Sequence, residues 1–132
     1  MTMNAITLFC GSKSGKNPAF EQMANALGVW LADEKITLVY GGGNKGLMGA
    51  TANACLAKGG KVIGIIPKVL LEWEAEHKGL TELIVTENMH ARKMLLYEKG
   101  DAAIVLPGGL GTFDELFEML VWNNLSIHDK KI

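Results

Sequence analysis

The sequence has little of several features that mark whole classes of protein. Only two cysteines occur, Cys10 and Cys55, and their number and spacing fit neither a disulfide scaffold nor a metal site. No apolar run approaches the roughly 20 residues that cross a bilayer, and the first residues do not read as a signal peptide. Acidic and basic residues nearly cancel, at a net charge of -1, so no basic surface for nucleic acid is expected. We therefore expect a cytoplasmic protein that binds neither membranes nor nucleic acid.

What the sequence does contain is typical of one folded domain. Hydrophobic residues make up 48 % of the 132 residues, which is enough to build a core. We therefore predict a single domain over residues 1–132. The chain stops at Ile132, where a sixth strand would begin, so a complete small domain and a chain truncated at its C-terminal end remain alternatives.

Short β-branched runs alternate with amphipathic segments of helix length. The predicted strands cover residues 6–10, 36–40, 61–66, 83–86 and 102–106. The predicted helices cover residues 18–33, 47–57, 88–99 and 112–125, and residues 68–80 remain open between a short helix and a loop. Strands that are apolar throughout and separated by helices predict an α/β fold: a Rossmann-like, doubly wound parallel sheet with helices on both faces. Ligands of such sheets bind at the carboxyl ends of the strands, where glycine-bearing loops follow the first, second and fifth strands.

The first two of these loops match known phosphate-binding motifs only weakly. Residues 11–17 are one position short of a Walker A loop, and Asn17 stands where that loop needs Ser or Thr. Gly41, Gly43 and Gly46 fit G-x-G-x-x-G, but they follow the second strand, and no acidic residue ends the next strand to hold a ribose. A purely structural role in a tight turn and close helix packing is the alternative for these glycines.

The third loop, in the stretch VLPGGLGTFDEL at residues 105–116, is more informative. Gly108, Gly109 and Gly111 leave the backbone open, and the N–H groups of the following helix favour an anion such as phosphate. Thr112 adds a hydroxyl. Glu115 has two interpretations: it forms a capping box with Thr112, or it acts chemically on a molecule held by the glycines. A carboxylate beside a phosphate is costly unless positive charge is near, which favours a cation or a cationic transition state at this place.

Arg92 is the candidate cation, in the stretch MHARK at residues 89–93. It lies at helical spacing from Met89 and Leu96, in a row that is otherwise apolar. The alternative is an arginine at the surface whose aliphatic stem covers apolar neighbours.

These stretches together resemble one family. PGGLGTFDE at 107–115 and MHARK at 89–93 occur with FCGS at 9–12, YGGGNKGLMG at 40–49 and WNNLSIHDK at 122–130. The chain resembles, over essentially its whole length, the LONELY GUY (LOG) family of cytokinin riboside monophosphate phosphoribohydrolases, whose signature is P-G-G-x-G-T-x-x-E.

The resemblance implies a hydrolase that splits an adenosine 5′-monophosphate, plain or modified at N6, into free base and ribose 5-phosphate. It implies Arg92 and Glu115 as the catalytic pair, a homodimer, and no metal or other cofactor. The residues it implies for substrate binding are Ser12, Gly42, Gly43, Glu74, Met89, Lys93, Gly108, Gly109, Gly111 and Thr112. The rival hypothesis is a non-catalytic nucleotide or molybdenum-cofactor carrier, since related carriers have a similar glycine loop. The presence of both Arg92 and Glu115 favours the enzyme.

Overall fold

The structure, a computed structural model, describes residues 3–73 and 76–132. Five parallel strands form one sheet in the order β4-β3-β2-β1-β5. The strands are β1 (Ala5–Phe9), β2 (Thr37–Tyr40), β3 (Val62–Pro67), β4 (Glu82–Thr86) and β5 (Ala102–Val105). The helices are α1 (Pro18–Asp33), α2 (Gly46–Ala57), α3 (Met89–Lys99) and α4 (Leu110–Asn124), and a 3-10 turn covers Lys68–Leu70. The predicted parallel α/β sheet is confirmed.

Local signals in the sequence explain where two of the helices begin. The side chain of Asn17 accepts a hydrogen bond from Ala19 N (3.0 Å), and Pro18 occupies the first helical position of α1. The Asn88 side chain caps α3 by accepting from Ala91 N (2.8 Å). In the described part of the chain, no helix is both long and apolar enough to cross a membrane.

Helices cover both faces of the sheet, and each face has its own core. On one face α1 and α2 pack against Leu8, Leu38 and Val62. On the other face Leu96 and Tyr97 of α3 and Met119 of α4 pack with Phe9, Val39 and Ile65. The loops after β1 and β5 lie at the carboxyl ends of their strands, where they line the cavities described below.

The last residues of the chain lie beside β5. Lys131 forms a parallel bridge with Ala102, and Ala103 N donates to the carbonyl oxygen of Lys131 (2.9 Å). This is the place where the sequence predicts a sixth strand.

Candidate functional site

The strand order reverses between β1 and β5, and the loops after these two strands meet there. Gly11 N donates to the carbonyl oxygen of Pro107 (3.1 Å). A Cβ placed on Gly108 would lie 2.8 Å from Gly11 N, so the two backbones pack directly against each other. In open α/β sheets the crevice at such a reversal is the usual ligand site.

Two cavities border this backbone contact. The first has a volume of about 190 Å³, and its lining includes the charged residues Arg92, Lys93, Asp114 and Glu115. Its lining comprises Leu8, Phe9, Cys10, Gly11, Ser12, Gly41, Met48, Leu70, Met89, Arg92, Lys93, Gly111, Thr112, Asp114 and Glu115. The second, of about 450 Å³, is lined by residues 11–15 with Phe20, Leu47, Pro107, Gly108 and Gly109. The glycine loop after β5 therefore contributes to both cavities.

Helix α4 begins earlier than the sequence predicted, and this excludes the capping box. The N-cap is Gly109, which has no side chain to cap with, and the first helical residue is Leu110. Thr112 is thus the third helical residue rather than the cap, and Glu115 is the sixth. A capping glutamate must stand at the third helical position. The capping interpretation of Glu115 is therefore wrong.

The start of α4 presents backbone N–H groups to the site. The hydrogen bond from Phe113 N to Gly109 O (3.2 Å) reaches back to the N-cap residue. The N–H groups that precede Phe113 have no acceptor one turn back in the helix. They make the helix N-terminus suitable for a phosphate.

The glycines of this loop differ in what the fold requires of them. A Cβ on Gly108 would collide with the side chain of Thr112, so the fold itself needs glycine there. A Cβ on Gly109 or Gly111 would meet no atom within 4 Å. Gly111 lines the first cavity and Gly109 the second, so the open space beside each of them belongs to a cavity.

Arg92 is the only arginine in the sequence, and it is buried, with 5 % of its surface exposed. Its Nε donates to the carbonyl oxygen of Ile65 (2.9 Å), and its Nη2 donates to that of Gly41 (2.6 Å). The interpretation of Arg92 as a surface arginine is therefore wrong. The two carbonyl groups hold the guanidinium at the carboxyl ends of β2 and β3, where it lines the first cavity.

Glu115 lines the same cavity as Arg92, and its charge acts on its neighbours. Burial raises the pKa of the Cys10 thiol to about 12, and the negative charge of Glu115 adds to this shift. Burial also raises the pKa of Tyr97. The carboxylates of Glu118, Glu115 and Asp114 raise this pKa further, with Glu118 contributing most and Asp114 least. The Tyr97 hydroxyl is buried without a well-formed hydrogen bond in the described chain, although Glu118 lies near enough to influence it. Cys10 and Tyr97 are thus uncharged neighbours of this carboxylate.

Lys93 is held by carboxylates of α4. Its Nζ lies 3.1 Å from Asp114 Oδ2 and 3.3 Å from Glu118 Oε2, with 17 % of the side chain exposed. Partial burial by itself would lower the pKa of Lys93, but the hydrogen bonds and charges of Asp114 and Glu118 outweigh it and raise the pKa. Lys93 lines the first cavity and also ties α3 to α4.

The structure brings most of the remaining predicted residues to the same edge. Ser12 lines both cavities, and Met89 lines the first. Gly42 and Gly43 are buried and are not among the residues that line either cavity. They contact the segment after β3 instead, through hydrogen bonds described below. Glu74 lies outside the residues that the structure describes.

Several cavity residues were missed by the sequence analysis. Gly41 follows β2 directly, and a Cβ there would collide with Arg92 Nη2, whereas the resemblance implies only the next two glycines for substrate binding. Cys10 and Gly11 lie in the FCGS stretch, of which only Ser12 was selected. Their position at the carboxyl ends of strands was the signal that could have found them.

The chain is an open α/β protein of the Rossmann-like class, with a glycine loop, a helix N-terminus and buried charge at the point where the strand order reverses. Residues 48–132 match the family described as "Possible lysine decarboxylase". The chain is 48 % identical over 130 residues to a cytokinin riboside 5′-monophosphate phosphoribohydrolase of Rhodococcoides fascians, and 43 % identical over 127 residues to one of Arabidopsis thaliana. The chain therefore belongs to the family described as "Possible lysine decarboxylase", which agrees with its resemblance to the LOG proteins.

The matches cover 98 % and 96 % of this chain but 66 % and 58 % of those two relatives, so the chain spans about six tenths of their length. Solved structures are similar as well. The molybdenum cofactor binding protein of Rippkaea orientalis has a TM-score of 0.74 at 25 % identity, over all of this chain and 90 % of that one. The Moco carrier protein of Chlamydomonas reinhardtii has a TM-score of 0.76 at 23 % identity, over 91 % and 72 %, which shows the shared fold.

Proposed function

We propose that this protein hydrolyses the N-glycosidic bond of an adenosine 5′-monophosphate, plain or modified at N6, to the free base and ribose 5-phosphate. The observation that carries the proposal is that Glu115, Arg92 and the first turn of α4 line a single cavity. The phosphoribohydrolase names of relatives at 42–48 % identity support the same reaction.

The proposed mechanism assigns the 5′-phosphate to the N–H groups and glycines at the start of α4, with the Thr112 hydroxyl beside them. Binding this remote group would fix the ribose against Glu115. As the bond from C1′ to the base breaks, positive charge develops on the ribose, and the carboxylate of Glu115 stabilises it. Water adds its oxygen to C1′ and loses a proton to Glu115, while the base leaves with the electron pair of the broken bond. The base takes up one proton from solvent and Glu115 returns its proton to solvent, so that neutral base and ribose 5-phosphate are released.

Arg92 would supply fixed positive charge to the same reaction. Since Nε and Nη2 are directed to backbone carbonyl groups, the guanidinium is held in one orientation. It can act on the Glu115 carboxylate, on the phosphate or on the departing base. We further propose that Met89 contacts the base and that Lys93 and Ser12 border the bound nucleotide, in agreement with their places in the cavity lining.

The test is to incubate the purified protein with AMP and with isopentenyladenosine monophosphate, and to follow free base by chromatography. Release of base that disappears in Glu115→Gln supports the hydrolase, and the ratio of the two rates gives the base preference. No release, combined with a rise in melting temperature on adding AMP, would instead support a carrier. The likeness to the Rippkaea orientalis protein makes this second outcome the specific alternative.

We also propose a homodimer formed through the exposed face of α4. Leu110, Phe113 and Phe117 are 89 %, 53 % and 59 % exposed, and the two phenylalanine rings stack with centroids 6.3 Å apart. An exposed apolar row of this size is typical of an interaction surface. Phe117→Asp should convert a dimer into a monomer in light scattering; an unchanged mass would contradict this interface.

We also propose a cytoplasmic location, which the two free cysteines support.

A further inference from the structure

His77 lies in the segment between β3 and β4 and is 8 % exposed. Its Nε2 lies 2.6 Å from Asn53 Oδ1 of α2, and its Nδ1 accepts a hydrogen bond from Gly79 N (2.9 Å). A backbone N–H can only donate, so Nδ1 carries no hydrogen and Nε2–H donates to Asn53. The hydrogen-bonding capacity of the ring is therefore satisfied in the neutral form.

The backbone around His77 holds the glycine loop after β2. His77 N donates to the carbonyl oxygen of Gly42 (2.8 Å), and Glu76 forms an antiparallel bridge with Gly43. Gly42 has a φ of +83°, a conformation that residues with side chains rarely adopt, so the path of this loop requires glycine there. The side chain of His77 thus fixes a segment that in turn fixes Gly42.

The residue before Gly42 binds the arginine of the site. Gly41 O accepts the 2.6 Å hydrogen bond from Arg92 Nη2. We propose that His77 is a positioning residue for Arg92: by anchoring the segment after β3 to α2, it holds the Gly41–Gly43 loop and thereby the guanidinium. The proposal rests on the proposed function for its consequence in catalysis, but the anchoring itself can be measured without any activity.

Protonation should release this anchor. A proton on Nδ1 would face the N–H of Gly79, and the two donors would repel each other. Burial lowers the pKa of His77, which keeps the ring neutral at pH 7. The charged side chains beside it in the same segment, Glu76 and Lys78, pair with each other at 3.4 Å, and Asn53 from α2 is uncharged. We therefore expect Arg92 to lose its fixed orientation as the pH falls through the pKa of His77.

Asn53→Asp tests this connection at an exposed position. The aspartate keeps an oxygen acceptor for Nε2–H but favours the protonated ring, which should raise the pKa of His77 by about one unit. The matched control is Asn25→Asp, the same change on the exposed surface of α1. Because Arg92 is the only arginine, ¹⁵N-labelled protein gives one arginine Nε–H signal, which reports the hydrogen bond to Ile65.

The experiment follows this NMR signal and the rate of AMP hydrolysis from pH 8 to pH 4.5 in the wild type and both variants. We expect the signal to weaken in acid, at a midpoint about one pH unit higher in Asn53→Asp and unchanged in Asn25→Asp, with the acid limb of kcat shifting in parallel. An Arg92 signal whose midpoint is the same in all three proteins would overturn the proposal, and so would a shift of the signal without a shift of kcat in active enzyme.

His77→Gln provides a second measurement at pH 7. We expect a weakened Arg92 signal and a loss of kcat of at least tenfold in folded protein. A lowered melting temperature with the Arg92 signal and kcat unchanged would show a merely structural role. If the wild type hydrolyses no nucleotide, the proposed function fails, and the NMR midpoints still decide whether His77 positions Arg92.

Discussion

Arg92 Nη2 donates a 2.6 Å hydrogen bond to the carbonyl oxygen of Gly41, a residue 51 positions earlier in the chain. This bond joins helix α3 to the loop after β2. The same guanidinium reaches the end of β3 through Ile65 O. Helix α3, on one face of the sheet, is thus connected to the ends of two central strands. This arrangement buries the chain's single guanidinium with backbone acceptors on two of its nitrogen atoms.

Arg92→Lys should lower both stability and turnover. A lysine keeps the charge but cannot donate to Gly41 and Ile65 in the fixed planar geometry of a guanidinium. A buried carbonyl left without its donor costs about 1–3 kcal/mol, so the free energy of unfolding should fall by that order in urea titrations. AMP hydrolysis should fall at least tenfold at temperatures where the variant is folded. Full activity would remove Arg92 from the site.

Glu115→Gln should nearly abolish turnover and leave the fold intact. Glu115 is the sixth residue of α4 rather than the third, so its loss should not remove a helix cap, and the proposed catalytic role predicts a loss of turnover instead. We expect a decrease in kcat of about 10²- to 10⁴-fold, the usual range for a positioned acid or base. The dissociation constant for AMP, measured by calorimetry, should change little. Glu98→Gln on the exposed surface of α3 is the control. Destabilisation with normal activity per folded molecule would contradict this role.

Gly111→Ala and Gly108→Ala should fail in different ways. An added methyl group at Gly111 meets no protein atom, so the melting temperature should stay the same or rise, because alanine stabilises helices by up to about 1 kcal/mol relative to glycine. The methyl group would occupy ligand space, so AMP should bind more weakly. At Gly108 the methyl group would crowd Thr112 and Gly11, which should lower stability by about 1–3 kcal/mol. Tight AMP binding by Gly111→Ala would exclude this part of the loop as a ligand site.

Both cysteines should be unreactive in the folded protein. Burial raises the pKa of Cys10 to about 12, with Glu115 adding to the shift, and burial also raises the pKa of Cys55. Both cysteines are therefore mainly in the thiol form at pH 8, and the thiolate is the reactive form. We expect no modification by iodoacetamide within an hour in buffer and two modified thiols per chain in 6 M guanidinium chloride, measured by mass spectrometry. Rapid modification of Cys10 in the folded state would show that the cavity floor is open and polar.

The pattern of the sequence was sufficient for the architecture. Apolar runs separated by helical periods predicted the five strands and the four α-helices of the described residues, because a strand buried on both faces must be apolar throughout; residues 68–80, which contain the 3-10 turn, stayed open. The caps at Asn17 and Asn88 act through neighbouring residues, and such interactions are legible in a short window of sequence.

The start of α4 shows where this kind of reasoning stopped. Thr112 and Glu115 fit a capping box by spacing, but the backbone of Gly108 packs against Thr112, and the helix begins two residues earlier. The spacing between Thr112 and Glu115 could not reveal that Gly108 also packs against Gly11 in the loop after β1. The sequence alone therefore allows both a capping and a chemical role for Glu115, and the start of the helix decides against capping.

The sequence by itself determined the parallel sheet, the glycine loop and the residue types of the site, since these depend on local periodicity and on motifs within a few positions. Only the tertiary structure decided that Arg92 is buried and donates to Gly41 and Ile65, and that His77 contacts the loop after β2. Those relationships join residues far apart in the chain, and they exist because parallel strands bring their carboxyl ends to one edge. Packing at that edge, rather than any local pattern, places the charges.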